Sequence, residues 1–77
     1  MMEKKHQRIN KELLSKIAIR IKKLREEQNI TQLRFYNETD IHIARIELGK
    51  LNITVSTLKE ICDFFGITLS EFLKDIK

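Results

Sequence analysis

The stretch FYNETDIHIARIELGK, residues 35–50, decides the fold of this chain. Two aromatic residues are followed by a polar run, and isoleucines then recur at Ile41, Ile43 and Ile46 before Gly49. Gly is the residue most often found where a helix ends in a left-handed turn. The order predicts a helix, a polar turn and a short second helix. We ask whether that short helix is a recognition element or only a packing element.

Apolar residues recur at helical spacing on both sides of this stretch. The predicted apolar faces are Ile9, Leu13, Ile17, Ile21 and Leu24 in the first helix, Leu58, Ile61, Cys62 and Phe65 in the fourth, and Leu69, Phe72, Leu73 and Ile76 in the last. Pro is absent, and no sustained alternation indicates a strand. The sequence therefore predicts an all-α fold with five helices, at about 10–28, 31–38, 42–48, 54–65 and 68–76.

Three helix starts share one signature, in which Ile precedes a Thr cap and an apolar residue follows in the first turn. The pairs are Ile30 with Phe35, Ile53 with Leu58 and Ile67 with Phe72, and Ile9 with Leu14 around Asn10 is a fourth candidate. Such pairs form a hydrophobic staple that fixes the angle at which the chain enters the helix. Glu71 lies three residues after Thr68, which predicts a capping box.

Basic residues are concentrated near the N-terminus. Residues 1–25 hold nine Lys or Arg against two acidic residues, whereas residues 26–77 hold six against nine. This distribution favours a phosphate-bearing partner, and a solvated helix face is the alternative. We expect residues 1–9 to form a basic, mobile arm and residues 10–77 to form one domain.

Several classes of protein are disfavoured by the composition. Cys62 is the only cysteine, so the chain offers no intramolecular disulfide and no zinc spacing, and we expect it to be a buried hydrophobe in a cytoplasmic protein. No apolar run is long enough to span a membrane. No nucleophile–base pair, paired carboxylate or phosphate-binding loop stands out, so we expect no enzyme activity, no cofactor and no metal.

Three segments resemble repressor-type helix-turn-helix domains, the XRE family that includes the lambda-type phage repressors and Cro. They are IKKLREEQNITQ (21–32), ARIELGKLNITVSTL (44–58) and ICDFFGITLSEFL (61–73), and the resemblance covers about residues 17–73. It implies a compact, lambda-repressor-like five-helix domain. It also implies a sequence-specific transcriptional regulator, a repressor, that reads the major groove of double-stranded DNA with its third helix and acts as a homodimer. The last helix and the N-terminal extension are candidate dimer surfaces.

The chain departs from the family pattern between Gln32 and Ile46, where it is about three residues shorter. In one placement Asp40 and Ile41 form the turn and His42 caps the third helix. In the other, Thr39 is the cap, and the second helix and the turn are shortened. Thr is the better cap chemically. We favour the first placement, because Ile41 and Ile46 then occupy the paired staple positions around His42.

Six residues are candidate DNA contacts by this resemblance: Gln32, Arg34, His42, Arg45, Lys50 and Asn52. Arg45 lies where the family often reads a base, and Arg can bind guanine O6 and N7 with two hydrogen bonds. The other five would contact phosphate or sugar, or support a base-reading side chain. The alternative for each is an ordinary solvated residue: a surface salt bridge for Arg45 and a helix cap for His42.

The resemblance also implies a partly buried ion pair between Arg25 and Glu47, with two separate surface charges as the alternative. Base stacking by Phe35 or Tyr36 is less favoured, since Phe35 fits a staple and Tyr36 lies where the family usually has a small core residue. Two other functions remain open. One is an antitoxin or the controller of a restriction module, with a toxin as the partner. The other is a helical protein-interaction module that has lost DNA binding.

Overall fold

The computed structural model describes residues 9–74 and 76. Five helices make up this part of the chain: α1 (Lys11–Glu27), α2 (Gln32–Thr39), α3 (Ile43–Ile46), α4 (Val55–Phe65) and α5 (Leu69–Lys74). The predicted all-α, five-helix fold is confirmed, and each helix boundary lies within two residues of its predicted position. Apart from Ile9, the predicted N-terminal arm lies outside the described residues.

The predicted Asn and Thr caps form in the structure. Asn10, Thr31, Thr54 and Thr68 each accept a hydrogen bond from the backbone N–H three residues on, over 2.9–3.1 Å. Each bond satisfies one of the N–H groups that a helix start leaves without a partner. The Thr68 N–H also donates to Glu71 Oε1 over 3.0 Å, which completes the predicted capping box. The hydrogen bonds that the Thr68 N–H and hydroxyl donate to Glu71 lower the pKa of Glu71, because they favour its ionised form.

The core joins α1, α2, α3, α4 and α5 through their apolar side chains. Its largest fully buried members are Phe35, Phe72, Ile21, Ile43, Ile61 and Cys62. The ring of Phe35 stacks on that of Phe65, with centroids 5.5 Å apart, and this contact fixes α2 against α4. Ile30 belongs to this core, while Ile53 and Ile67 pack against it half-buried, as expected of staple residues.

The buried face of α1 differs from the predicted one. Its buried residues are Leu14, Ile17, Ala18, Ile21 and Leu24, whereas Leu13 and Ile9 are 38% and 48% exposed. The observed spacing is i, i+3, i+4 and i+7, so the stripe follows the helix more closely than the i+4 steps that we predicted. In α5, Phe72 is buried as expected, but Leu73 is 39% exposed.

Cys62 is fully buried on α4, so the prediction of a small buried hydrophobe is confirmed. Burial raises the pKa of its thiol, because the charged thiolate is disfavoured away from water. A redox-sensing cysteine needs an exposed, electropositive environment. The geometry therefore fits a packing role.

Helix α3 ends at Ile46, two residues before the predicted end. Glu47 keeps near-helical angles, and Gly49 then adopts a left-handed conformation with φ of 78°. A Cβ atom at Gly49 would lie 3.4 Å from Ser15 Cα and 3.6 Å from Ala18 Cβ. The chain leaving α3 therefore passes directly over α1, which limits how far the helix can continue.

Candidate nucleic-acid interface

The turn between α2 and α3 follows the first of the two predicted placements. Asp40 ends α2 in a left-handed conformation with φ of 62°, and its N–H donates to the Tyr36 carbonyl over 2.8 Å. Thr39 remains inside α2, so the alternative in which it caps α3 is wrong. Its hydroxyl donates to the Phe35 carbonyl and accepts from the Ile41 N–H, which fixes the turn instead.

Helix α3 is a single turn with two faces. Ile43 and Ile46 are 1% and 5% exposed and anchor it in the core. Ala44 and Arg45 are exposed on the other side. An isolated helix of this length is unstable in water, so packing must hold it. The helix is therefore both a packing element and a surface that presents Arg45.

Arg25 ties the end of α3 to the end of α1. Its Nε and Nη2 donate to the two carboxylate oxygens of Glu47 over 2.7 and 3.0 Å, and its Nη1 donates to the Ile30 carbonyl over 2.8 Å. The side chains of Arg25 and Glu47 are only 11% and 5% exposed. The hydrogen bonds to Glu47 raise the pKa of Arg25, and burial opposes them. The predicted ion pair between Arg25 and Glu47 is confirmed, and it contains two hydrogen bonds. The alternative, two separate surface charges, is wrong.

Gln32 lies at the start of α2 and joins the same network. Its Nε2 donates to Glu47 Oε1 over 2.9 Å, so α1, α2 and α3 meet at one carboxylate. The residue is nevertheless exposed. Because this bond uses one of the two amide N–H groups, the second N–H and the amide oxygen are left for another contact.

The two arginines of the candidate set differ. Arg34 on α2 forms an exposed ion pair with Glu38 one turn later, with 2.8 Å between Nε and Oε2. Arg45 on α3 forms no hydrogen bond or ion pair with any described residue, so the predicted alternative of a salt bridge to Asp40 or Glu38 is wrong. Its guanidinium is therefore available to an outside partner.

His42 occupies the position before α3, as predicted for a cap, but its side chain makes no capping hydrogen bond. Its ψ angle is 75°, whereas Thr31 and Thr54 have ψ of 158°. The imidazole instead packs on the ring of Tyr36, with centroids 4.6 Å apart and planes tilted by 33°. Sequence reasoning did not single out Tyr36 as functional. The available signal was a large aromatic residue in place of a small one, next to the shortened segment.

Lys50 and Asn52 lie exposed in the segment between α3 and α4, as expected of phosphate contacts. Neither forms a side-chain hydrogen bond or ion pair with a described residue. Lys50 lies beside Leu48 and Gly49, and Asn52 borders an apolar hollow between α1 and α4. The six candidate residues thus come from α2, α3, the turn before α3 and the loop after it.

No helix in residues 9–74 is both long enough and apolar enough to cross a membrane. In the same part of the chain, no three His, Cys, Asp or Glu residues are grouped as they would be to hold a metal ion.

Comparison with known proteins identifies one family. The helix-turn-helix family matches residues 21–72, about two thirds of the chain. The match runs from the second half of α1 to Phe72 of α5 and includes every contact of the Arg25, Gln32 and Glu47 network. Neither the curated proteins nor the solved structures contain a match to the chain.

Proposed function

Because the chain belongs to the repressor-type helix-turn-helix family of XRE regulators, which bind DNA, we propose that it is a sequence-specific repressor. In this proposal α3 reads the major groove of an operator. The observation that supports it best is the exposed guanidinium of Arg45, which pairs with no described residue and is held on a helix that Ile43 and Ile46 anchor in the core. A regulator of this kind acts in the cytoplasm.

Each candidate residue has a defined part in the proposal. Arg45 grips guanine O6 and N7 with two hydrogen bonds. Lys50 and Asn52 contact phosphate or sugar from the loop, and Arg34 and His42 do so from either side of the turn. Gln32 uses its free amide oxygen for a base edge or supports the Glu47 end of α3. The basic residues Lys4, Lys5 and Arg8 add charge for the phosphate backbone.

The test begins with selection of binding sites from genomic DNA fragments by the purified protein. Affinity for the selected site should fall steeply with salt, with a slope of about −0.9 for each phosphate contact. Arg45→Ala should cost about 1–3 kcal/mol and relax the preference at one base position. Lys50→Ala is the matched control. It should weaken all sequences about equally and reduce the salt slope by about 1.

The binding measurements distinguish this proposal from the alternative of a protein-interaction module. The short α3, a single turn, is the observation that favours that alternative. Absence of DNA binding at low salt would support that alternative. If Arg45→Ala and Lys50→Ala change affinity and base preference in the same way, Arg45 does not read a base. Deletion of residues 1–8 should reduce affinity and leave thermal stability nearly unchanged, which tests the proposed basic arm separately.

We also propose that the repressor is a homodimer. An apolar hollow lies between α1 and α4, and Leu13, Val55 and Leu73 at its margin are exposed by 38%, 71% and 39%. Exposed apolar side chains grouped in this way are typical of protein interfaces. Leu73→Lys should shift the sedimentation coefficient to that of the monomer and should weaken operator binding. Ile19→Lys, on an exposed position of α1 away from this hollow, is the control.

A further inference from the structure

Tyr36 is ordered on the surface by a contact that uses none of its polar capacity. Its ring packs on His42 with centroids 4.6 Å apart, yet the side chain remains 36% exposed. No described residue forms a hydrogen bond with the Tyr36 hydroxyl or with the imidazole of His42. A phenol held in place with an open hydroxyl is suited to a hydrogen bond with an outside partner.

Tyr36 also lies in a continuous row of exposed side chains. Gln32 and Tyr36 are one turn apart on α2 and therefore share a face. The ring contact joins Tyr36 to His42 across the turn, and the Arg45 N–H donates to the carbonyl of His42, which lies just before α3, over 3.1 Å. We call these four residues, Gln32, Tyr36, His42 and Arg45, the α2–α3 row. Tyr36 is the one member that is not among the six candidate DNA contacts.

We propose that Tyr36 is a DNA-contacting residue whose hydroxyl donates a hydrogen bond to a phosphate of the operator, with His42 as its positioning residue. The inference rests on the proposed function, because it requires that α3 lies against DNA. Tyr hydroxyls are among the side-chain groups that bind phosphate in protein–DNA complexes. The ring has few rotatable bonds, so the contact with His42 orders it at a low cost in entropy.

The charges around the row favour an anionic group such as phosphate over a neutral or cationic partner. The carboxylates of Glu38 and Glu47 are engaged by Arg34 and Arg25. Arg45, which pairs with no described residue, can attract an anion at one end of the row, while the exposed carboxylate of Asp40 in the turn opposes this attraction. The shortened segment removes side chains from the start of α3, and Tyr36 supplies a donor from the adjacent helix in their place.

Tyr36→Phe tests the inference directly, since it removes the hydroxyl and keeps the ring. We expect affinity for the selected site to fall about tenfold, as for one lost hydrogen bond to a charged group. The salt slope should stay unchanged, because a neutral hydroxyl displaces no counterion. Lys50→Ala should instead reduce that slope by about 0.9.

Two further measurements distinguish a DNA contact by Tyr36 from a purely structural role of this residue. Tyr36→Phe should keep the thermal midpoint and the helical circular dichroism of the wild type. His42→Ala should lower affinity in the wild type, and by a smaller factor in the Tyr36→Phe background, because its positioning role is then already lost. Equal factors in both backgrounds would remove His42 from that role.

The two levels of the proposal fail in different ways. If the wild type binds its selected site and Tyr36→Phe binds equally well, the Tyr36 contact is overturned while the repressor function stands. If the wild type binds no DNA at low salt, the repressor function is overturned and the Tyr36 contact with it.

Discussion

Helices α3 and α4 both bury apolar side chains in the same core, but their positions are set by different parts of the chain. The ends of α4 are fixed locally, by the hydroxyl of Thr54 at its start and by Gly66, with φ of 71°, at its end. Helix α3 has a single turn and no side-chain cap. It is held from outside by Arg25, through Glu47, and by the close passage of Gly49 over Ser15.

The comparison shows that the free energy of unfolding and the placement of the proposed DNA-binding surface depend on different contacts. A single helical turn forms too few hydrogen bonds to offset the entropy of ordering it. The orientation of Arg45 therefore depends on α1, although α1 itself presents none of the six candidate residues. Changes at the two caps of α4 should alter only the free energy of unfolding, whereas changes at the contacts between α1 and α3 should alter operator affinity as well.

The largest expected effect comes from breaking the Arg25–Glu47 pair. Arg25→Ala and Glu47→Ala should each reduce the free energy of unfolding by about 3 kcal/mol or more, because the remaining charge is left buried without its partner. A domain of this size has only about 4–12 kcal/mol in total. Urea denaturation measures the loss. Glu38→Ala, which breaks the exposed Arg34–Glu38 pair, is the control and should cost under about 0.5 kcal/mol.

The double variant sharpens this test. Because both single changes remove the same two hydrogen bonds, Arg25→Ala combined with Glu47→Ala should lose much less than the sum of the single losses. Strictly additive losses would mean that the pair contributes little. Under conditions where the variants are folded, their operator affinity should also fall, whereas Glu38→Ala should not lower it, because this change frees Arg34 and removes a negative charge.

The next prediction compares Gly49, which follows α3, with Gly66, which follows α4; both adopt a left-handed backbone conformation. Gly49→Ala and Gly66→Ala should each cost about 1–2 kcal/mol, because both place a Cβ in a left-handed backbone. A Cβ at Gly66 would meet nothing within 4 Å, and one at Gly49 would make an ordinary contact with Ser15 at 3.4 Å. We expect only Gly49→Ala to weaken operator binding. A much larger stability loss at Gly49 would show that α1 cannot yield there.

A smaller effect distinguishes a working cap from a position that lacks one. Thr54→Ala should reduce the free energy of unfolding by about 1 kcal/mol, since it removes the hydrogen bond from the Thr57 N–H. His42→Ala removes no capping bond, so its stability loss should be smaller, while its operator affinity falls. Thermal unfolding and binding titrations check both. Equal stability losses at the two positions would contradict the assignment of His42 to a surface role.

The locally fixed elements were the ones that the sequence could predict. Thr31, Thr54 and Thr68 cap helices in the structure because the signal for each cap lies within a few residues of it. The Arg25–Glu47 pair could be inferred only by resemblance, since 22 residues separate its partners.

The sequence-based predictions were wrong or incomplete where contacts between helices determine which side chains are buried. The buried stripe of α1 includes Leu14 rather than Leu13, because both positions are apolar and only the packing partner chooses between them. The contact of Tyr36 with His42 depends on the path of the shortened turn, which residue types alone do not specify. The six candidate DNA contacts follow from the family pattern. The Tyr36–His42 contact lies in the shortened segment, where the chain departs from that pattern, and it could not be predicted from the sequence.

The smallest effect concerns the cap of α5, whose carboxylate is exposed. Hydrogen bonds from Thr68 lower the pKa of Glu71, so the ionised form stabilises the fold above the unfolded pKa of about 4.3. That contribution is lost as the pH falls through the lower folded pKa, because the folded state then takes up the proton too.

Glu71→Gln can keep the box hydrogen bonds but carries no titrating group. The difference in thermal midpoint between the wild type and Glu71→Gln should therefore be largest near neutral pH and should narrow below about pH 4. Thr57→Ala, which leaves this cap intact, should show no such narrowing. A difference between the wild type and Glu71→Gln that stays constant from neutral to acid pH would mean that ionised Glu71 adds nothing to the cap.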